Sequence, residues 1–440
     1  MHDRGSLTGL DGLRGVAILL VLGQHAPTRP LIDGFVGVTV FFCLSGFLIT
    51  TLLVRELEHG TIDVRGFYRR RVARLCPGLA TVVAVTVVVL LLGRRDLGVG
   101  QVLAPAGAAT TYTTSLFDWT DHVFATKDYF NYTWSLSVEE QFYLLWPCAL
   151  LWGYRRGPRV FAALTAVLVA TSLALNLFLG LTRAVKYDQH EYFGSDTNAL
   201  PLLIGCLLAI AVHHGWFSRT VRLVGPGALP ALALLPILAS RNDTYRPSLV
   251  TVAGTGLTAV ALIGVVTRPR SAVGSVLASR PMRWLGERSY SIYLWNVLAR
   301  IAMLAWLGHT VVGDLAWIAA FVVLAEASFR LVERPMRARL RTGSGRETSV
   351  DVVLVGAVAE ELRRGPEQDR TADVVGPGRR ERLHVGADQR VRCARPYDGV
   401  VIDPPGVERS TRRVVAASVG AEDVDRVTCP DHAHADRPPA

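Results

Sequence analysis

Cysteine is sparse and unpatterned in this sequence. Six occur in 440 residues, and Cys43, Cys76, Cys148, Cys206, Cys393 and Cys429 form no CxxC pair. Their spacing suggests neither a disulfide framework nor a zinc site, and no metal is expected. Charge is thin as well. Charged residues make up 19% of the chain and hydrophobic residues 50%, with a mean hydropathy of +0.31. The first apolar run has no basic leader followed by a small-residue cleavage site, so it reads as a retained span rather than a cleaved signal peptide. No internal repeat is visible. What charge there is sums to +10, almost wholly from arginine. The arginines cluster between apolar runs, which points to membrane topology rather than a nucleic-acid partner.

The apolar residues come in runs of about 15–20, the length that crosses a bilayer. Ten spans are expected, at about 10–28, 35–54, 78–93, 137–153, 160–180, 200–213, 222–240, 248–267, 289–308 and 314–332. The seventh and eighth are rich in Pro and Gly, and the sixth is short. The segment 97–117 is apolar but interrupted by Pro105 and Gly107, and it reads as an interfacial or re-entrant piece. Every second loop is basic. Arg55, Arg65, Arg69, Arg70, Arg71 and Arg74 follow span two, and YRRGPR follows span four. Arg219 and Arg222 follow span six, Arg268, Arg270, Arg280 and Arg283 follow span eight, and ERPMRARLR follows span ten. Short loops with this bias stay cytoplasmic, which puts both termini in the cytoplasm. Arg94, Arg95, Arg241 and Arg246 fall on the outer side, so the bias is not absolute.

The expected class is therefore an all-α, multi-pass cell-membrane protein of about ten helices. Residues 1–341 would form the membrane domain. Residues 342–440 are rich in Arg, Asp, Glu, Gly and Pro without a sustained period, which predicts a disordered cytoplasmic tail.

The first span carries two residues that an apolar segment does not hold without reason. Arg14 and His25 lie eleven positions apart in GLDGLRGVAILLVLGQH. Eleven helical residues make about three turns plus 20°, so both side chains leave nearly the same face, about 16 Å apart along the axis. Either residue alone fits a snorkelling or interfacial role. Their alignment favours a protein interior or a wet cavity.

Further along, GFVGVTVFFCLSGFLIT holds Gly37, Ser45 and Gly46, small residues that suit close helix contact. In FYRRRVARLCP, Arg71 and Arg74 are i and i+3 and share a helical face. They suit either a positive-inside anchor or a phosphate site, since guanidinium forks match phosphate oxygens. In YTWSLSVEEQFYLLWP, Ser135 and Glu139 are i and i+4. Ser135 could cap the helix with glutamates in its first turn. Two glutamates and Gln141 beside Phe142 and Tyr143 look more like the rim of a polar cavity.

Together these segments and the late GERSYSIYLWN, in this order, resemble the integral-membrane acyltransferase family three, across roughly residues 7–335. The family includes O-antigen, peptidoglycan and macrolide O-acylating enzymes. The resemblance implies a ten-helix membrane fold that moves an acyl group, commonly acetyl from acetyl-CoA, to a hydroxyl of a sugar or glycosylated product. It assigns the family's Arg and His pair to Arg14 and His25, its arginines after span two to Arg71 and Arg74 with Arg69, and its Ser-x-x-x-Glu element to Ser135 and Glu139. One position departs. Relatives often continue SYSIYLW with His, whereas this chain has Asn296, which cannot take a proton at neutral pH. No early Gly-Asp-Ser signature of a fused serine-hydrolase domain is visible in the tail.

Acyl transfer needs a base, oxyanion stabilisation and a grip on the donor. His25 is the candidate base, because an ordinary imidazole titrates near neutral pH, and it could equally carry the acyl group transiently. Glu139 could orient it or act on the acceptor, and Ser135 joins them as a candidate. Arg14, Arg69, Arg71 and Arg74 would hold the phosphates of acyl-CoA from the cytoplasm. The bilayer and a carbohydrate acceptor complete the expected partners. Two rival classes share many of these features: a multi-pass transporter of a lipid or small solute, and a catalytically silent partner in polymer assembly.

Overall fold

The computed structural model describes residues 3–25, 34–58, 60, 62–118, 129–182, 188–216, 231, 235, 246–341, 370–376, 379–385 and 391–393. Up to residue 341 the regular elements are helical. They are α1 (Asp3–Gln24), α2 (Phe35–Glu58), α3 (Val64–Gly93), α4 (Val99–Thr110), α5 (Thr114–Asp118), α6 (Trp134–Tyr154), α7 (Pro158–Thr182), α8 (Asp188–Phe193) and α9 (Ala199–His213). There follow α10 (Pro247–Thr267), α11 (Ala272–Leu277), α12 (Arg280–Leu307), α13 (Val311–Ser328) and α14 (Arg334–Arg341). A π-helical turn at Phe329–Glu333 joins the last two.

Local chemistry accounts for several of these boundaries. The Asp63 carboxylate accepts from the Gly66 N–H at 2.8 Å and caps α3. Pro247 opens α10, where a missing N–H is harmless. Thr310 caps α13 by accepting from the Gly313 N–H at 3.0 Å. Pro77 does not end α3. The helix runs through it, so the FYRRRVARLCP block expected in a loop is the first half of a 30-residue helix. Likewise α4 runs through Pro105 and Gly107, and ends just before Tyr112, whose φ is +56°. At 12 residues it is too short to cross a bilayer as a helix.

Among the described residues, six helices are long and apolar enough to span: Phe35–Glu58, Val64–Gly93, Pro158–Thr182, Pro247–Thr267, Arg280–Leu307 and Val311–Ala338. Ala199–His213 is a shorter apolar helix. The expected first and fourth spans fall on α1 and α6. The expected seventh, at 222–240, lies outside the described residues apart from 231 and 235. Large apolar side chains point outward from many of these helices, Leu92, Leu144, Leu145, Val167 and Leu181 among them. An outward apolar surface of this extent belongs to a multi-pass membrane protein.

The core is built on glycine contacts. A Cβ on Gly46 would sit 2.0 Å from the Leu202 carbonyl oxygen, and one on Gly205 would sit 2.1 Å from that of Cys43. That reciprocal pair draws α2 and α9 together. Gly37 plays the same part against Ala17 of α1, where a Cβ would lie 2.5 Å from the carbonyl oxygen. Gly286 of α12 leaves 1.8 Å between an imagined Cβ and the Asp11 oxygen. Small residues thus set the helix spacings, as expected of Gly37 and Gly46. Around them α1, α2 and α12 bury Leu13, Ile18, Phe42, Leu44 and Leu294.

The strands form a separate unit, made of residues 345–349 and 363–440 with Met1. Within it β1 (Arg370–Gly376), β2 (Arg379–Val385) and β3 (Val391–Cys393) make an antiparallel sheet in the order β1-β2-β3, with Asp373 opposite Arg382 and Leu383 opposite Cys393.

Candidate active site

One polar cluster gathers where the first half of α3 meets α6. Helical spacing turns Arg71 and Arg74 to the same side, and the buried residues Ala73 and Leu75 lie between and beyond them. The Arg71 guanidinium stacks over the Tyr143 ring, 3.2 Å from its centroid, and its Nε lies 4.0 Å from Glu140 Oε1. The cations acting on Arg74 are Arg14, Arg337 and Arg71, and the carboxylates of Glu139 and Glu333 act on it from beyond ion-pair distance. Arg14 has Asp11 one turn away at 3.5 Å, and Arg337 donates to Glu333 at 2.9 Å. Among the described residues, Arg74 makes no ion pair. Three of the four guanidinium groups are matched by carboxylates, and the one they surround is left available.

Glu139 stands at the edge of this cluster. The Ser45 hydroxyl donates to its Oε1 at 2.6 Å, and Arg71, Arg14 and Arg74 act on it from nearby. Glu139 and Glu140 therefore face the arginines. Ser135 is not a helix cap. α6 starts one residue earlier, at Trp134, with no glutamate in its first turn. The Ser135 hydroxyl instead meets the Tyr293 hydroxyl at 2.6 Å, and Tyr293 donates to the Tyr132 carbonyl at 2.5 Å. Ser135 and Glu139 share a face of α6, yet they bond to different helices. Arg69 is exposed, and two residues from Arg71 it leaves α3 from about the opposite side.

A second cluster lies at the far end of α1. His25 follows the last helical residue, its N–H bonded to the Leu22 carbonyl at 3.0 Å. Its imidazole adjoins the Asn296 amide and the Arg300 guanidinium of α12. Among the described residues Glu139 makes no hydrogen bond to His25, which leaves the other role expected of it, acting on the acceptor. Asn296 is 0% exposed. Its amide nitrogen donates to the carbonyls of Ile292 at 3.1 Å and Tyr293 at 2.6 Å, and the Trp317 indole donates to its backbone carbonyl at 2.9 Å. Arg14 and His25 keep the axial separation of about 16 Å that their helix imposes.

Helix α12 ties the two clusters together. Tyr290 donates to the Leu75 carbonyl of α3 at 2.6 Å, and Ser291 donates to Glu333. Tyr293 reaches α6, and Asn296 reaches His25. Three site residues escaped sequence reasoning: Ser45, Glu333 and Arg337. Ser45 looked like packing because its base lies 94 residues away. Glu333 and Arg337 were hidden in a basic run that served as a topology marker. The one acid of that run, now fully buried in the π turn, was the available signal.

Among the described residues, no group of three or more His, Cys, Asp or Glu is placed to hold a metal. A family model described as an acyltransferase domain matches residues 7–328. YrhL of Bacillus subtilis, named as a candidate peptidoglycan O-acetyltransferase, is 30% identical over 75% of this chain and 55% of its own length. The peptidoglycan O-acetyltransferase OatA of Listeria monocytogenes is 28% identical over 76% of this chain and 56% of its own. The O-acetyltransferase OatA of Staphylococcus aureus is 27% identical over 77% and 58%. The chain thus spans a little over half the length of these relatives. No solved structure matches it.

Proposed function

The chain belongs to the third of the membrane acyltransferase families, and from that premise we propose that it transfers an acetyl group from acetyl-CoA to a hydroxyl of a carbohydrate or glycosylated acceptor. The observation that carries the donor assignment is Arg74, an unpaired guanidinium among three others. Like charges repel, and a phosphate-rich ligand relieves that repulsion while accepting planar, bidentate hydrogen bonds. Arg14, Arg71 and Arg337 complete the grip. Arg69, facing away, stays an outer contact for the nucleotide end.

This reading uses ten crossings with both termini cytoplasmic. It assigns nine of them to the six long apolar helices, the shorter α9, α1 and α6, and leaves the tenth to the apolar stretch 222–240 of the sequence. The basic loops then put Arg14, Arg71 and Arg74 on the side where acyl-CoA is found. Residues 1–341 hold all the chemistry, and the tail is not needed for it.

The step is one acyl exchange. The acceptor hydroxyl attacks the thioester carbonyl while the imidazole of His25 takes its proton. The tetrahedral intermediate collapses, the carbon–sulfur bond breaks, and the CoA thiolate leaves and is reprotonated. The pantetheine arm bridges the distance from the arginines to His25. Glu139, held by Ser45, orders the arginine forks. Ser135 anchors Tyr293 and with it the helix facing His25.

Two relatives are named for peptidoglycan, so its glycan is the first acceptor to supply. Membranes containing the chain, given radiolabelled acetyl-CoA and purified peptidoglycan or secreted polysaccharide, should place label in the glycan that mild base releases as acetate. Base-labile acetate that persists unchanged in a deletion strain, with no label transferred by the membranes, would leave a transporter or a silent assembly partner as the better reading.

A further inference from the structure

Asn296 stands where its side chain can act in only one orientation. Both amide hydrogens are spent on carbonyls of its own helix, those of Ile292 and Tyr293. Turning the amide over would set its oxygen against those same two acceptors, so the oxygen must face the other way. That oxygen is buried and has no hydrogen-bond partner among the described residues. The neighbouring side chain is His25, whose Nδ1 is also buried and also unpartnered. An amide oxygen only accepts. The ring nitrogen that faces it must therefore carry the proton.

We infer that Asn296 is the positioning residue for His25: its Oδ1 accepts from Nδ1–H, fixes the tautomer and the ring plane, and leaves the Nε2 lone pair free for the acceptor hydroxyl. The inference rests on the proposed role of His25 as base. It also explains how an asparagine serves where no proton acceptor is available. A group that orients an imidazole needs a fixed acceptor atom, not a titrating one. The helix carbonyls of Ile292 and Tyr293 hold that atom in place, and the Trp317 indole locks the backbone behind it.

The test is a double-mutant cycle in membranes with radiolabelled acetyl-CoA as donor. Asn296→Leu keeps the volume and removes the acceptor. It should lower kcat by about 10–100-fold, the range seen when partners that orient metal-bound histidines are removed, and leave the donor KM unchanged. In a His25→Ala background the same substitution should cost nothing more, because there is no ring left to orient. A purely structural role would lower activity in both backgrounds and would move the donor KM or the amount of inserted protein. If Asn296→Leu does not accumulate, Asn296→Ala, which leaves the helix backbone intact, replaces it with the same expectation. Wild-type turnover in the inserted Asn296 variant, with His25→Ala inactive, would overturn this inference alone. Wild-type turnover in His25→Ala would overturn the underlying mechanism instead.

Discussion

Replacing Arg74 with methionine separates a ligand-binding residue from a structural anchor, because the two roles predict opposite signs. Methionine keeps most of the aliphatic stem, so packing against the buried residues of α3 is largely preserved. What disappears is a charge crowded by Arg14, Arg71 and Arg337, reached by Glu139 and Glu333 only from beyond ion-pair distance, and with no ion pair among the described residues. Its removal relieves repulsion in the empty protein. The thermal midpoint in detergent should stay level or rise. Donor binding should move the other way. A charge-assisted hydrogen bond to a phosphate is worth about 1.5–3 kcal/mol. At 1.4 kcal/mol per decade, that is about a 10–100-fold rise in the apparent requirement for acetyl-CoA. Turnover at saturating donor should change little, since the reacting carbonyl lies up the bundle. Arg74→Lys should recover part of the affinity, as lysine supplies charge without the planar fork. The assay is initial-rate label transfer against donor concentration, paired with thermal unfolding of the same preparations. A midpoint that falls while donor affinity holds would refute the reasoning and make Arg74 an anchor.

His25→Ala should lose about 10²–10⁴-fold in transfer while insertion and donor binding survive, and His25→Gln should be nearly as impaired; a Gln variant with near-normal turnover would assign the base elsewhere. Gly46→Ala should destabilise by about 1–3 kcal/mol, because the new methyl meets the Leu202 carbonyl oxygen at 2.0 Å; an unfolding midpoint equal to that of the parent would mean that α2 and α9 part easily. In a chain stripped of its own cysteines, one placed at Arg65 should resist an impermeant thiol reagent in intact cells and one at Lys186 should react, and the reverse pattern would invert the topology.

Helix positions were legible because a bilayer demands long apolar runs, and close crossings because glycine inside such runs has few other uses. The pairing of Arg71 with Arg74 was legible because it is local, three residues on one helix. Partners across helices were not. Ser45 and Glu139, Ser135 and Tyr293, and His25 and Asn296 are each joined by a helix register that only packing decides. Periodicity gives the face a residue leaves from, not the neighbour it meets. The same limit explains Glu139, whose arginine neighbours come from α1 and α3. In α3 itself, Pro77 suggested a boundary that the 30-residue helix overrides.

One consequence of the packing bears on mechanism. Tyr290, Ser291, Tyr293 and Asn296 lie within seven consecutive positions of α12, about two helical turns. Each bonds to or adjoins a different partner: Leu75 on α3, Glu333 of the π turn, Ser135 on α6, and His25 at the end of α1. Two of those partners belong to the arginine side, since Leu75 follows Arg74 in sequence and Glu333 binds Arg337. Ser135 lies one turn from Glu139 on α6, and the fourth partner is His25 itself. A single helix therefore fixes the proposed base relative to the proposed grip on the donor. At its near end α12 is pressed onto α1 at Gly286, where even a methyl group would collide with the Asp11 carbonyl. Sliding α12 by one residue would break all four attachments together and shift Asn296 by about 1.5 Å from the imidazole. Acyl transfer tolerates misplacement of about 1 Å poorly. The SYSIYLWN segment thus acts as a spacer whose several hydroxyl and amide contacts hold one register, and its chemistry lies in that spacing as much as in any one side chain.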